Sequence, residues 1–455
     1  MTFVASDDIR AAFSAALSAM YRNEVPLYGD LLDIVASVNQ AVLRADPALA
    51  ADLEQHGALD RLAGERHGAI RVGTAEELSL MRRAFAVMGM QPVGYYDLAV
   101  AGVPVYSTAF RPIAPEALRR NPFRVFTSLL RLELIEDEAL RETARTLLSS
   151  RRIFSQPAVK LVEQYEQQGG LTAAEAERFV AEVLETFRWH SEALVDAQTY
   201  QRLLASHRLV ADVVSFRGPH INHLTPRTLD IDAAQAEMTR RGMAAKEEIE
   251  GPPPRRVPIL LRQTSFRALQ EHIRFQGQAS GEGGTHTARF GEIEQRGLAL
   301  TEKGRALYDA LLNDARKDVG PQGATYPQRL RAAFAQFPDA HVELRREGLG
   351  FYHYALTSAG RRDAARSTTP GDMEALIERG WVSAEPLTYE DFLPVSAAGI
   401  FQSNLGRGEQ GSYSAVTAQD AFEQALGAPV LNPFDLYRQM EQQSIDMVRE
   451  KLRIA

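Results

Sequence analysis

Apolar residues recur at helical spacing from the start of the chain. Ile9, Phe13, Leu17 and Met20 share one face, and Leu31, Ile34, Val35 and Val38 predict a second helix beyond the break at Tyr21–Asp30. Leu78, Met81, Phe85 and Met88 form a third such face. Thr74-Ala-Glu-Glu77 precedes it as a capping box, and Gly89 and Pro92 end it. The stretch Glu65–Gly73 ahead of that cap is short and predicted extended, so His67, Ala69 and Arg71 share one strand face. Pro92–Val100 and Val103–Phe110 read as a strand pair joined at Ala101-Gly102, and Phe123–Leu134 as one more strand. Residues 65–135 therefore run strand, helix, strand, strand, strand.

The pattern changes over 136–210, which is rich in Ala, Glu, Leu, Arg and Gln at helical spacing. Trp189 and His190, at the end of one of these helices, read as packing residues. Ser215–Asp232 is predicted extended, followed by a helix with Met238 and Met243, a proline-rich link (Lys246–Arg256) and a strand at Val257–Ser265. Gly277–Gly284 lacks the Gly-Lys-Ser/Thr ending of a phosphate loop and reads as a turn or lid. Residues 213–300 thus repeat the element order of 65–135 without sequence identity to it. Beyond them come a helix, a strand at Tyr352–Thr357, a small-residue loop at Asp391–Gly406, and helix over 417–455. The expected class is α+β. The expected divisions of one unit are N-terminal helices (1–60), a first βαβββ-like module (61–135), a helical insertion (136–210), a second module (211–300) and a mixed C-terminal region (301–455).

Composition narrows the chemistry. A chain of 455 residues can bury a large core. Its net charge of −8 argues against nucleic acid or an anionic membrane as the main partner. There is no cysteine, which excludes disulfides, thiolate-bound zinc and iron–sulfur clusters, so any metal must be held by His, Asp or Glu. No apolar run approaches the roughly 18 residues of a membrane helix, and the first residues lack a signal pattern. A soluble cytoplasmic protein is expected.

Three stretches carry metal-capable side chains. In Gly218-Pro-His-Ile-Asn-His-Leu-Thr-Pro226 the prolines disfavour helix, and on a strand residues three apart face opposite ways. One of His220 and His223, rather than both, is then expected to reach a given pocket. His67 sits on a second predicted strand, with Arg71 on the same face. In Phe290-Gly-Glu-Ile-Glu-Gln-Arg-Gly297 two glutamates, Glu292 and Glu294, would face the same side of a third strand and repel unless a cation or proton intervenes. Most histidines in a chain of this size bind nothing. Two histidines and one glutamate on three strands, however, form a facial triad suited to non-haem Fe(II) and O2.

These motifs, together with Tyr21–Asp30, Glu65–Gly73 and Pro394-Val-Ser-Ala-Ala-Gly-Ile-Phe401, resemble the 2-oxoadipate dioxygenase/decarboxylase family along nearly the whole chain. The resemblance implies a vicinal-oxygen-chelate-like mixed sheet of two βαβββ-type modules with large helical additions. It implies an Fe(II) enzyme of lysine breakdown that takes 2-oxoadipate and O2 to 2-hydroxyglutarate and CO2. Carried over by position, His67 and His223 are metal ligands, Arg71 binds a substrate carboxylate, and the Val395-Ser396 backbone lies against the substrate. The stretch from Phe290 to Arg296 also resembles the ending of 4-hydroxyphenylpyruvate dioxygenases, which implies Glu292 on the metal and Glu294 behind it. Competing readings are a metal-dependent isomerase or lyase on the same core, and a non-enzymatic metal-binding protein.

Overall fold

The computed structural model describes residues 2–55, 58–277, 283–317, 325–363, 372–393 and 415–452. The chain divides into two units. The first takes in 1–250, 263–295 and 392–431; the second takes in 251–262, 296–391 and 432–455. Helices and a mixed sheet together make the fold α+β. Among the described residues, no helix is long and apolar enough to cross a membrane.

The first unit is built on five strands: β1 (Arg66–Val72), β2 (Gln91–Asp97), β3 (Val105–Arg111), β4 (Arg124–Leu130) and β5 (His223–Pro226), in the order β2-β3-β4-β1-β5. β1 runs parallel to β4 and antiparallel to β5, so it is flanked on both edges. Gly94, at φ 75°, marks the bulge where the register of β2 on β3 shifts. The expected order of strand, helix and three strands is present over 66–130, with one short added helix at Pro115–Arg120. The N-terminal helices Ser6–Glu24 and Pro26–Ala45 bury the predicted faces, and Phe13 packs edge-on against Phe123 and Phe187. Residues 138–214 are largely helical, as the composition predicts.

The second run of strands departs from the expectation of a matching sheet. β5 is followed by a helix (Ile231–Arg240) and by β6 (Leu261–Ser265), β7 (Glu271–Ile273), β8 (Gly284–His286) and β9 (Glu292–Arg296). β6 pairs with β9 and β7 with β8, while β5 belongs to the first sheet. Individual strands are also shorter than the apolar runs suggest. Asp230 caps the helix after β5 by accepting from Ala233, which ends the extended stretch early. Leu260 takes φ 52°, a conformation rare for a branched residue, and breaks Val257–Ser265 in the middle. Phe123–Leu134 ends as a 3-10 turn at Leu132–Leu134.

The capping box at Thr74 is only half formed. Thr74 Oγ1 accepts from the Glu77 amide. The Glu77 carboxylate, instead of reaching back to Thr74, accepts from the Gly73 amide and from a two-pronged Arg151. A buried guanidinium outbids a single backbone amide for a carboxylate.

The second unit contains β10 (Tyr352–Leu356) antiparallel to β11 (Val382–Pro386). The long helix Pro433–Leu452 closes its edge: Glu441 and Ser444 accept from the amides of Tyr352 and Tyr354.

Candidate metal centre

The site begins with register. His67 lies opposite Thr225 and Ala69 opposite His223 across the β1–β5 pair. Directly opposed residues share a face, and so do residues two apart on one strand. His67 and His223 therefore emerge on the same side, and their ring centroids are 5.5 Å apart at 87°. β9 brings Glu292 and Glu294 to the same place on one strand face.

The His67 ring lies between the two glutamates. Its Nε2 is 3.1 Å from Glu292 Oε1 and its Nδ1 is 2.9 Å from Glu294 Oε2, the latter without hydrogen-bond alignment. His223 Nε2 is 4.0 Å from the same Glu292 oxygen. His67, His223 and Glu292 each offer one ligand atom within 4.8 Å of the others, and all three are buried. Adjacent ligands on an ion with bonds of about 2.1 Å lie roughly 3 Å apart, so these separations need only a small contraction. The donor set fits a cation on a second count. His223 Nδ1 and Glu292 Oε2 are buried without a protein hydrogen bond among the described residues, an arrangement that is costly unless another ligand is present.

Neighbours fix the candidate ligands. Glu292 Oε1 accepts from Gln263 Nε2 at 2.6 Å and from Thr225 Oγ1 at 3.2 Å. Phe290 stacks on His223 at 4.7 Å, and Phe392 stands edge-on to His67 at 5.0 Å, so apolar rings wall the imidazoles. The Tyr21 hydroxyl donates to the Phe290 carbonyl at 2.7 Å and lies 3.0 Å from that of Asn222, tying the first helix to both ligand-bearing segments. Behind Glu294, Arg124 lies 3.9 Å away and pairs with Glu65, which also meets Arg227.

The two imidazoles have opposite electrostatics. Burial alone would push His67 down, but Glu294 and Glu292 outweigh it and hold the ring above its ordinary value. Burial, together with His67 and Arg71, pushes His223 well below its ordinary value. The carboxylates thus favour positive charge beside His67, while His223 stays neutral with a free lone pair to offer.

His220 goes elsewhere, so only one histidine of that motif joins the cluster. Its Nε2 is 3.5 Å from Asp212 Oδ1 and 3.1 Å from Asn222 Nδ2. Arg71, buried on the same strand as His67, donates to Asp212 at 2.7 Å. Val395 and Ser396 lie outside the described residues. Sequence reasoning missed Asp212, Gln263 and Thr225. Their signal was a polar residue inside an apolar or strand-forming run, such as Leu209-Val-Ala-Asp-Val-Val214.

A family model described as 2-oxoadipate dioxygenase/decarboxylase matches residues 13–404. A relative of that name from Escherichia coli (strain K12) is 57% identical over 441 residues, covering 97% of this chain and 98% of its own. One from Pseudomonas putida is 55% identical over 457 residues, covering 99% and 98%. The crystal structure of the hydroxyglutarate synthase from Pseudomonas putida in complex with 2-oxoadipate superposes with a TM-score of 0.92 at 54% identity, covering 99% of both chains. With a family model over residues 13–404 and such relatives along nearly the whole chain, the chain belongs to the 2-oxoadipate dioxygenase/decarboxylase family.

Proposed function

We propose that this chain is an Fe(II)-dependent 2-oxoadipate dioxygenase/decarboxylase, taking 2-oxoadipate and O2 to 2-hydroxyglutarate and CO2 as a step of lysine breakdown. The observation that carries the reading is the convergence of His67, His223 and Glu292 from three strands, in a chain so similar to relatives of that name. We also take 61–135 and 211–300 as paired vicinal-oxygen-chelate-type modules, since each opens with a strand and a helix and continues in further strands.

In this reading His67, His223 and Glu292 would hold the metal. Fe(II) held there would supply the activation of O2 toward a 2-oxo acid. Gln263 and Thr225 hold the Glu292 carboxylate in place beside the two imidazoles. Glu294 orients the His67 ring from behind. Phe290 and Phe392 keep bulk water from the imidazoles, which strengthens the local electrostatics. Arg71 takes the far carboxylate of the diacid, so that after CO2 is lost the carbon beside the former keto group stays at the site as the group oxidised, with no second substrate entering. The backbone of Val395 and Ser396 is assigned to the substrate on family resemblance.

The test is anaerobic reconstitution with Fe(II), then 2-oxoadipate, then O2. Equal consumption of O2 and release of CO2, with 2-hydroxyglutarate formed, is the expected result, and Zn(II) in place of Fe(II) should give none. Turnover without O2 would favour the isomerase or lyase reading, and metal binding without turnover of any 2-oxo acid would favour a non-enzymatic role.

A further inference from the structure

A second buried cluster of ionisable groups centres on Asp212, in the buried helix Arg208–Val214. Its Oδ2 accepts from Arg71 Nη1 at 2.7 Å, and its Oδ1 lies 2.9 Å from His286 Nε2. His286 Nδ1 lies 2.8 Å from the Tyr200 hydroxyl. The directions follow from the donor inventory. Nε2 facing a carboxylate must carry a proton, so in the neutral ring Nδ1 accepts and Tyr200 donates to it. Tyr200 thus donates to His286 and His286 to Asp212, whose other oxygen accepts from the guanidinium. Burial would raise the Asp212 carboxyl, but His220, His286 and Arg71 hold it well below the usual carboxylate range, so it meets Arg71 as an anion.

A long arginine side chain has many rotamers, and a diacid held at one end by a metal needs its far end met at one place. We propose that Asp212, held in turn by His286 and Tyr200, is the positioning residue of Arg71 and so sets the length of 2-oxo diacid accepted. The proposal rests on the reading of Arg71 as partner of the far carboxylate. It adds the part of the site that decides where that carboxylate must be.

The test uses Asp212→Asn and Tyr200→Phe, with Arg71→Gln alongside, in the iron-loaded full chain. Substrates are 2-oxoadipate, the shorter diacid 2-oxoglutarate and the mono-acid 2-oxohexanoate. Asp212→Asn should lower kcat/KM for 2-oxoadipate by about 10–100-fold, mostly through KM, because a displaced contact of this kind costs about that much. The preference for 2-oxoadipate over 2-oxoglutarate should narrow, while 2-oxohexanoate and bound iron change little. Tyr200→Phe should move the same ratio in the same direction by about 2–10-fold, the range of one hydrogen bond. It decides the matter alone should Asp212→Asn fail to fold. Equal losses on diacids and mono-acid, or an unchanged length preference, overturn the proposal. If Arg71→Gln is itself indifferent to the second carboxylate, the clamp reading falls and takes this proposal with it. If Arg71→Gln is selective for diacids and the other two variants are not, only the positioning role falls.

Discussion

Glu294 meets His67 from the side opposite Glu292: Glu294 Oε2 stands 2.9 Å from Nδ1, and Glu292 Oε1 stands 3.1 Å from Nε2. Two glutamates on one strand face thus meet opposite edges of one ring. Glu294→Gln should weaken metal binding by about 10–100-fold, the usual effect of losing a carboxylate behind a ligating histidine. Glu292→Gln should be worse, because in the proposed reading it removes a ligand. Calorimetric titration of the apo-protein with Fe(II) or Co(II) under argon measures both. The reverse ranking would mean that the two roles are exchanged.

The two histidines of Gly218–Pro226 separate in the same way. After anaerobic reconstitution and desalting, His223→Ala should retain little iron and His220→Ala nearly the full amount. Iron lost from the second variant and kept by the first would move the site to Asp212 and contradict the assignment.

His220 should also shape stability at low pH. Burial, partly offset by Asp212, pushes its imidazole down to about 3, against the usual value near 6.5. The unfolded chain therefore binds a proton that the folded chain refuses over that interval. By linkage, this contribution to stability is complete above about pH 6.5 and is lost at about 1.4 kcal/mol per pH unit as the pH falls toward 3. His220→Gln should flatten that acid limb in urea melts at pH 7, 6 and 5. A limb of unchanged slope would show that other groups govern it.

Gly68 is a packing requirement of the site. A Cβ there would come within 2.7 Å of the His223 carbonyl oxygen and 2.8 Å of Ile221 Cδ1. Gly68→Ala must push β5, and with it His223, away from β1. We expect a loss of about 1–3 kcal/mol, the range of overpacked cores, and weaker metal retention. Gly218→Ala, with nothing within 4 Å of the added carbon, is the control and should stay within about 0.5 kcal/mol of the parent. Equal melting temperatures for the two variants would show that the β1–β5 contact yields without cost.

Much of this molecule was written in local pattern. Helical periodicity located Ser6–Glu24, Pro26–Ala45 and the helices of 138–214, because a buried face needs apolar residues every three or four positions. The two-residue spacing of Glu292 and Glu294 put both on one side of β9, because strand geometry leaves no alternative. The absence of cysteine left only His, Asp and Glu for a metal. Motif resemblance then pointed to His67, His223 and Glu292, and the fold brings those three together.

Other features belong to tertiary structure alone. The partition of the strands after β5 into β6–β9 and β7–β8 follows from long-range pairing that a run of β-formers does not specify. The half-formed cap at Thr74 depends on Arg151, more than seventy residues away, reaching Glu77. Asp212 reads as one stray acid in an apolar helix. Only folding places Arg71, His286 and His220 around it, because a buried carboxylate must find its partners wherever the chain returns, and no spacing in the sequence records that distance.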